Sequence, residues 1–176
     1  MSTENATLEV PAHEHDQHPR HQKLVIIASS GDLEDVWAQM IMATSGAAMG
    51  MDTTIFFTFW GLFSLVKDDK HLTGDNWMQK MVAALDRPGT EHLRLAKMNF
   101  VGAGPAMMKK LAKEHSVASP GELRQMAVDL GVKLVPCQMT MDLLGLKRED
   151  MIDGVGEPAG AAAMLLEAQD AVTFFI

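Results

Sequence analysis

Lys23-Leu-Val-Ile-Ile-Ala28 runs straight into Ser29-Ser-Gly-Asp32, and this stretch sets the expected fold. Leu24 to Ala28 is a continuous apolar, β-branched run, the pattern of a strand buried on both faces. Such strands belong to parallel sheets flanked by helices. Ser29 to Gly31 supply turn chemistry, and Asp32 an N-cap for the next helix. In that helix Leu33, Val36, Trp37, Met40 and Ile41 recur at helical spacing, and Gly50 ends it.

The same alternation continues outward. Thr53 to Phe59 reads as a second strand, rich in β-branched and aromatic residues. Trp60 to Val66 reads as a short apolar helix or turn, and Lys67 to Asn76 as a surface loop. Helices are expected over Trp77–Leu85 and Glu91–Met98, and from Pro105 to about His115. Ser119-Pro-Gly-Glu122 is a capping-box-like start, with Pro120 at the first helical position, for a helix to Leu130. Val132 to Val135 is a strand, Gln138 to Leu144 a short helix ended by Gly145, and Met151 to Val155 a brief strand. Ala159 to Ala168 is a small-residue helix, and Val172 to Ile176 the last strand. This order predicts a three-layer, doubly wound, flavodoxin-like α/β domain over residues 23–176, with a mainly parallel sheet of about five strands. Residues 1–22 are polar, lack a hydrophobic period and read as a disordered tail.

Composition narrows the function. The chain has 176 residues, a net charge of −8 and a pI near 5.3, which argues against nucleic acid as a partner. No signal-peptide pattern opens the sequence, so a cytoplasmic location is expected. Thr53 to Val66 is apolar but shorter than the roughly twenty residues of a membrane helix, so membrane contact is not expected. Phe59, Trp60 and Phe63 within it are candidates for core or interface. The fifteen methionines read as adaptable core packing. His13, His15, His18 and His21 lie in the tail without preformed geometry, and no metal site is assigned.

Chemistry concentrates on the single cysteine, in Gly131-Val-Lys-Leu-Val-Pro-Cys-Gln-Met-Thr-Met-Asp142. Cys137 sits where a strand meets a helix, at the mouth of a parallel sheet. Helix N-termini favour anions, and a thiolate is one. Free cysteine is also among the most buried residue types, so on the residues alone Cys137 is either a reactive thiol or a small buried hydrophobe. With no second cysteine, an internal disulfide is impossible. Pro136, Gln138 and Met139 would form the thiol's immediate environment, with backbone N–H groups of Gln138 and Met139 facing it. Ser29, Ser30 and Gly31 form either a plain turn or a small anion nest beyond the first strand. Gly102 and Gly104, in Gly102-Ala-Gly-Pro105, resemble the start of a dinucleotide fingerprint. Met107 occupies the third glycine position, which favours turn-and-cap glycines. His71, His92 and His115 are candidate neighbours of the thiol, and Lys109 and Lys110 candidate sources of positive potential.

Lys97-Met-Asn-Phe-Val-Gly-Ala-Gly-Pro-Ala-Met-Met-Lys109 and Gly131 to Gly145 together resemble segments of the DsrE/DsrF-like sulfur-relay family. The likeness is to its DsrE-like subgroup, sometimes labelled peroxiredoxin family. It continues through Lys147-Arg-Glu-Asp-Met-Ile-Asp-Gly154 and Val172 to Ile176. The resemblance implies a flavodoxin-like sandwich that assembles into homo-oligomers, and a sulfur-carrying cysteine that maps onto Cys137. It implies persulfide formation there without a cofactor, with rhodanese-like and TusA-like proteins as partners. Two other functions fit the residues less well. One is a non-catalytic ligand-binding or scaffold module using Ser29–Asp32 and Gly102–Pro105. The other is a thiol peroxidase, which needs an activating threonine and arginine, for which Thr140 and Arg148 are the nearest in sequence.

Overall fold

The opening run becomes β1 (Lys23–Ala28) and α1 (Leu33–Ala48), at whose N-cap the Asp32 side chain makes no capping bond, followed by β2 (Asp52–Phe57) and a 3-10 helix (Phe59–Leu65). After a single 3-10 turn (Thr90–His92) come α2 (Ala103–Glu114), α3 (Pro120–Asp129), β3 (Lys133–Pro136) and α4 (Gln138–Leu144). The chain closes with α5 (Ala161–Glu167) and β4 (Ala171–Phe175). The computed structural model describes residues 22–69, 89–95, 97 and 103–176. The expected tail up to residue 21, the helix expected over 77–85 and Gly102 all lie outside the described residues.

The four strands are parallel, in the order β3-β2-β1-β4. Right-handed crossovers explain how the layers fill. The chain steps one way from β1 to β2 to β3, which puts α1 and α3 on one face. It then returns past β1 to β4, which puts α5 on the other. Strand alternation divides the side chains accordingly. Leu24, Ile26, Ala28, Ile55, Phe57 and Leu134 join Leu33, Val36, Met40, Leu123 and Ala127 in the large core. Among the described residues, the buried apolar side chains of the opposite face are Val25, Phe56, Cys137 and Met164. The sheet is doubly wound, and its two outer layers are very unequal.

The fifth strand, expected over Met151–Val155, is not formed. Only single bridges join Met151 to Val66, Val155 to Leu134 and Ala159 to Cys137. Gly154, Gly156 and Pro158 interrupt this segment, and proline cannot donate to a ladder. The helix expected over Glu91–Met98 is also absent in its described part. Beyond the turn at Thr90–His92 the backbone of Leu93 is extended, and the Arg94 carbonyl accepts the Leu33 N–H at 2.7 Å. That segment caps α1 instead of coiling. β2 ends two residues before the expected Phe59, because the chain must dive under the β1–α1 loop. A Cβ at Gly61 would lie 2.3 Å from the Ala28 carbonyl oxygen, so only glycine fits there. Among the described residues no helix is long and apolar enough to cross a membrane.

The capping box forms as the sequence predicts. Glu122 N–H donates to Ser119 Oγ at 3.3 Å, and the Ser119 N–H donates to Glu122 Oε2 at 2.7 Å. The hydrogen bond from the Ser119 backbone, helped by its hydroxyl, holds the Glu122 carboxyl below its ordinary value of 4.5. A depressed carboxylate contributes stability that is present above its unfolded pKa and lost as pH falls through the folded one. Ser119→Ala removes the hydroxyl that accepts the Glu122 N–H, and loss of that N-cap is expected to cost about 1 kcal/mol in denaturant unfolding at neutral pH. For Glu122→Gln, the stability difference from wild type should shrink as pH drops below 4.5. An unchanged difference at acid pH would sink the pairing.

Candidate functional site

Cys137 is the residue at which β3 ends and α4 begins. Its N–H donates to the Phe57 carbonyl at 2.8 Å, extending the β2–β3 ladder one residue past Pro136. Its own carbonyl accepts the Met141 N–H at 3.0 Å, the first bond of α4. Cys137 is the N-cap of that helix, and its side chain makes no capping bond. The thiol thus stands at the carboxyl edge of a parallel sheet, where ligand and reaction sites of open α/β folds gather.

The thiol is also buried, only 4% of the residue being exposed. It packs with Val25, Phe56 and Met164, with Val135 and Ala159 partly covering the group. Both readings offered by the sequence meet here, since the cysteine has the position of a reactive thiol and the burial of an apolar one. A cavity of about 250 Å³ opens beside the cluster, lined by Thr54, Lys133, Val135, Ala159, Met164 and Glu167 among others. Lys133 donates to Asp52 at 3.1 Å and to Glu167 at 3.3 Å. The Asp52 bond is the main cause of a raised ammonium pKa, which burial partly opposes. Two carboxylates therefore neutralise the one cation of this cavity wall.

The surroundings foreseen for the thiol are partly corrected. The Gln138 N–H is committed to the Ala159 carbonyl at 3.1 Å, so it does not face the sulfur. The Gln138 side chain donates to Asp142 at 2.8 Å, one turn along α4. Met139 is exposed, and Pro136 is buried opposite Phe57. Thr140, named from the sequence only as a peroxidase-type threonine, is instead the residue that fixes the helix. Thr140, fully buried, shares a hydrogen bond with the Thr58 hydroxyl at 3.1 Å and accepts the Phe59 N–H at 3.2 Å. That anchor holds Phe59 at a positive φ of 44°, rare for a bulky residue. Phe59 and Trp60 are half exposed, whereas Phe63 is core, with its ring 5.8 Å from that of Trp60. Met164 was missed, and no local signal marks it, since the exposed Leu165 and Leu166 follow it directly in the same helix.

The remaining candidates lie apart from the thiol or are occupied. The N–H groups of Ser29 and Ser30 both donate to the Ile176 carbonyl, at 2.7 and 3.4 Å, and Ser29 Oγ does so at 3.3 Å. Gly31 packs under the Trp60 carbonyl, 2.6 Å from where a Cβ would stand. The nest after β1 is therefore filled by the end of β4. Gly104 is buried in the first turn of α2. His92 and His115 are exposed, Lys109 bonds the Glu91 carbonyl and carboxylate, and Lys110 pairs with Glu114; His71 lies outside the described residues. Arg148 donates to the carbonyls of Val155 and Gly156. Thr140 and Arg148, the two groups a peroxidase would need, are thus both committed to backbone and hydroxyl partners. Among the described residues no group of three or more His, Cys, Asp or Glu side chains could hold a metal ion.

A doubly wound parallel domain with one thiol at its carboxyl edge defines the class. The family is set by comparison: residues 20–175 match the model of the DsrE/DsrF/DrsH-like family, and the chain belongs to it. It is 39% identical over 156 residues to the uncharacterized protein YrkE of Bacillus subtilis, covering 88% of this chain and 97% of that one. It is 38% identical over 152 residues to the sulfur carrier protein DsrE2 of Allochromatium vinosum, covering 81% and 89%. Among solved structures, ychN of E. coli superposes with a TM-score of 0.55 over 88% of this chain and 99% of its own, at 13% identity, which shows the fold.

Two measurements check the site. Native Cys137 should react with iodoacetamide far more slowly than in the unfolded chain, and Met164→Ala should raise the native rate severalfold. A wild-type rate equal to that of the denatured protein would contradict the burial. Thr140→Val leaves the Phe59 N–H and the Thr58 hydroxyl without their shared partner, and should cost about 1–3 kcal/mol of stability.

Proposed function

We propose that this chain is a cytoplasmic sulfur carrier, or sulfurtransferase, that accepts sulfane sulfur on Cys137 as a persulfide and passes it to a partner thiol. The observation that carries this reading is the only thiol of the chain, standing at the carboxyl edge of a sheet in a chain 38% identical to a named sulfur carrier. The step balances without a cofactor. The Cys137 thiolate attacks the outer sulfur of a donor persulfide, the new S–S bond forms as the old one breaks, and the donor leaves as a thiolate. With thiosulfate as donor the leaving group is sulfite. Delivery is the same reaction in reverse, with the thiolate of a second protein as nucleophile. No net oxidation occurs in either step.

A single cysteine restricts the mechanism. Nothing within the chain can resolve the persulfide as a disulfide, so acceptance and delivery both use a thiol or thiosulfonate arriving in trans. Rhodanese-like donors and TusA-like acceptors, on a homo-oligomeric carrier, are the partners that the sequence resemblance favours. The apolar packing around the sulfur by Val25, Phe56 and Met164 suits a persulfide, which must be kept from water and oxidants between transfers. The scaffold reading is weakened because its main anion loop already holds the Ile176 carbonyl.

Incubation with thiosulfate or a sulfur-loaded rhodanese should add one sulfur, about 32 Da by intact mass, while tetrathionate, losing thiosulfate, should add a thiosulfonate of about 112 Da, and both gains should vanish in Cys137→Ser. Failure of Cys137 to load from every one of these donors would overturn the proposal.

A further inference from the structure

The cavity of about 250 Å³ between α5 and the sheet has a floor, a mouth and a wall of different chemistry. Its floor is Thr54. That residue stands opposite Lys133 in the β2–β3 ladder and alternates with Phe56, so its side chain lies on the thin face of the sheet. Thr54 is only 2% exposed, yet its Oγ1 has no hydrogen-bond partner. Buried hydroxyls are normally paired, and an unpaired one carries a cost that valine, of the same shape, would avoid. At the base of a cavity, such a hydroxyl is a hydrogen-bonding group for whatever enters.

The mouth is charged, and its balance is negative. Lys133 is matched by both Asp52 and Glu167. Glu157, exposed on the same cavity, makes no hydrogen bond or ion pair among the described residues. Three carboxylates thus stand against one ammonium, which repels an anion and attracts a cation. A metal ion is a poor match, because among the described residues no group of three or more His, Cys, Asp or Glu side chains could hold one. The remaining wall, formed by Val135, Ala159, Ala163 and Met164, is apolar. An organic cation with a short hydrocarbon body suits all three parts. Its ammonium has three donors and no acceptor, for carboxylate and hydroxyl oxygens, and its chain lies along the apolar wall.

We propose that this cavity binds a small primary alkylammonium ion, and that the bound ion fastens α5 to the sheet. The second half follows from Met164. That side chain lines the cavity and also packs against Cys137, and Glu167 lines the cavity from the next turn of the same helix. A ligand held between Thr54 on β2 and Glu167 on α5 joins the two layers. It favours the arrangement in which Met164 covers the thiol, and disfavours any in which α5 lifts away. This inference is independent of the sulfur chemistry, since it is read by binding and by access to the thiol alone.

The probe is n-butylammonium chloride on the full-length protein, with sodium butyrate and n-butanol as controls at equal concentration and ionic strength. The amine should raise Tm saturably, and neither control should do so. At saturation it should slow the reaction of Cys137 with dithiobis(nitrobenzoate) severalfold. Thr54→Val should leave the unliganded protein at least as stable and lose most of the affinity. Glu157→Gln, a change at the exposed mouth, should weaken binding severalfold. No saturable shift with the amine overturns the proposal, and so does an equal shift from butanol. An equal shift in wild type and both variants also overturns it, because it would mean loose attraction of amines to a chain of net charge −8. Saturable binding that leaves the thiol rate unchanged overturns the fastening of α5.

Discussion

The hydrogen bond from the Cys137 amide to the Phe57 carbonyl sets everything else about the thiol. Pro136, one residue earlier, turns its carbonyl outward to the Ala159 N–H, so Cys137 makes the last bond of this strand to β2. With it, the strand runs to the edge of the sheet and stops there, and the carbonyl of the same residue starts α4. One residue is thereby the last of a strand and the cap of a helix. Its side chain has no freedom of face: it falls on the side of Val25 and Phe56, opposite the large core.

That face is the thin one, and the cause is topological. Crossovers of one hand put α1 and α3 on the side reached by stepping from β1 to β3, and only the return to β4 crosses the other side. The return is made by a seven-residue helix whose one buried residue is Met164. The large core carries the stability of the fold, as its many fully buried Leu, Ile, Val and Met side chains imply. The thin layer is left free to serve the cysteine. A thiol on the α1 side would lie under a sixteen-residue helix.

Much of this was legible in the sequence, and what was not has physical causes. β1, α1, α3 with its capping box, and the strand–cysteine–helix junction follow from local signals: β-branched runs, caps and a proline. The failed fifth strand was a matter of competition. Met151-Ile-Asp-Gly-Val155 has strand-like residues, but the glycines and Pro158 around it allow only scattered bridges. The Glu91–Met98 helix failed in its described part because its backbone was needed elsewhere, with Arg94 capping α1 from a distance of sixty-one residues that no local pattern reveals. In the site, Cys137 itself was readable. Its partners were not, since Val25, Phe56 and Met164 come from three separate elements, and the Gln138 N–H is taken by a carbonyl twenty-one residues away.

Were Cys137 to transfer sulfur as proposed, its 4% exposure would impose one further constraint. Exchange at a persulfide requires an attacking thiolate to approach the S–S bond in line, so some element must move aside. Two surround the sulfur. α4 is held by Thr140, through Thr58 and Phe59, and by Met141 in the large core, so moving it breaks buried hydrogen bonds and opens the main core as well. α5 is held by Met164, preceded by Gly160, and by the solvent-screened Lys133–Glu167 pair, which contributes little. Releasing one methionine costs roughly 1.5–3 kcal/mol. That corresponds to an open population of about 1–10%, within the range of minor states that proteins visit in solution. For the proposed transfer, the way to Cys137 with the fewest buried contacts to break is therefore past α5, on the thin side of the sandwich.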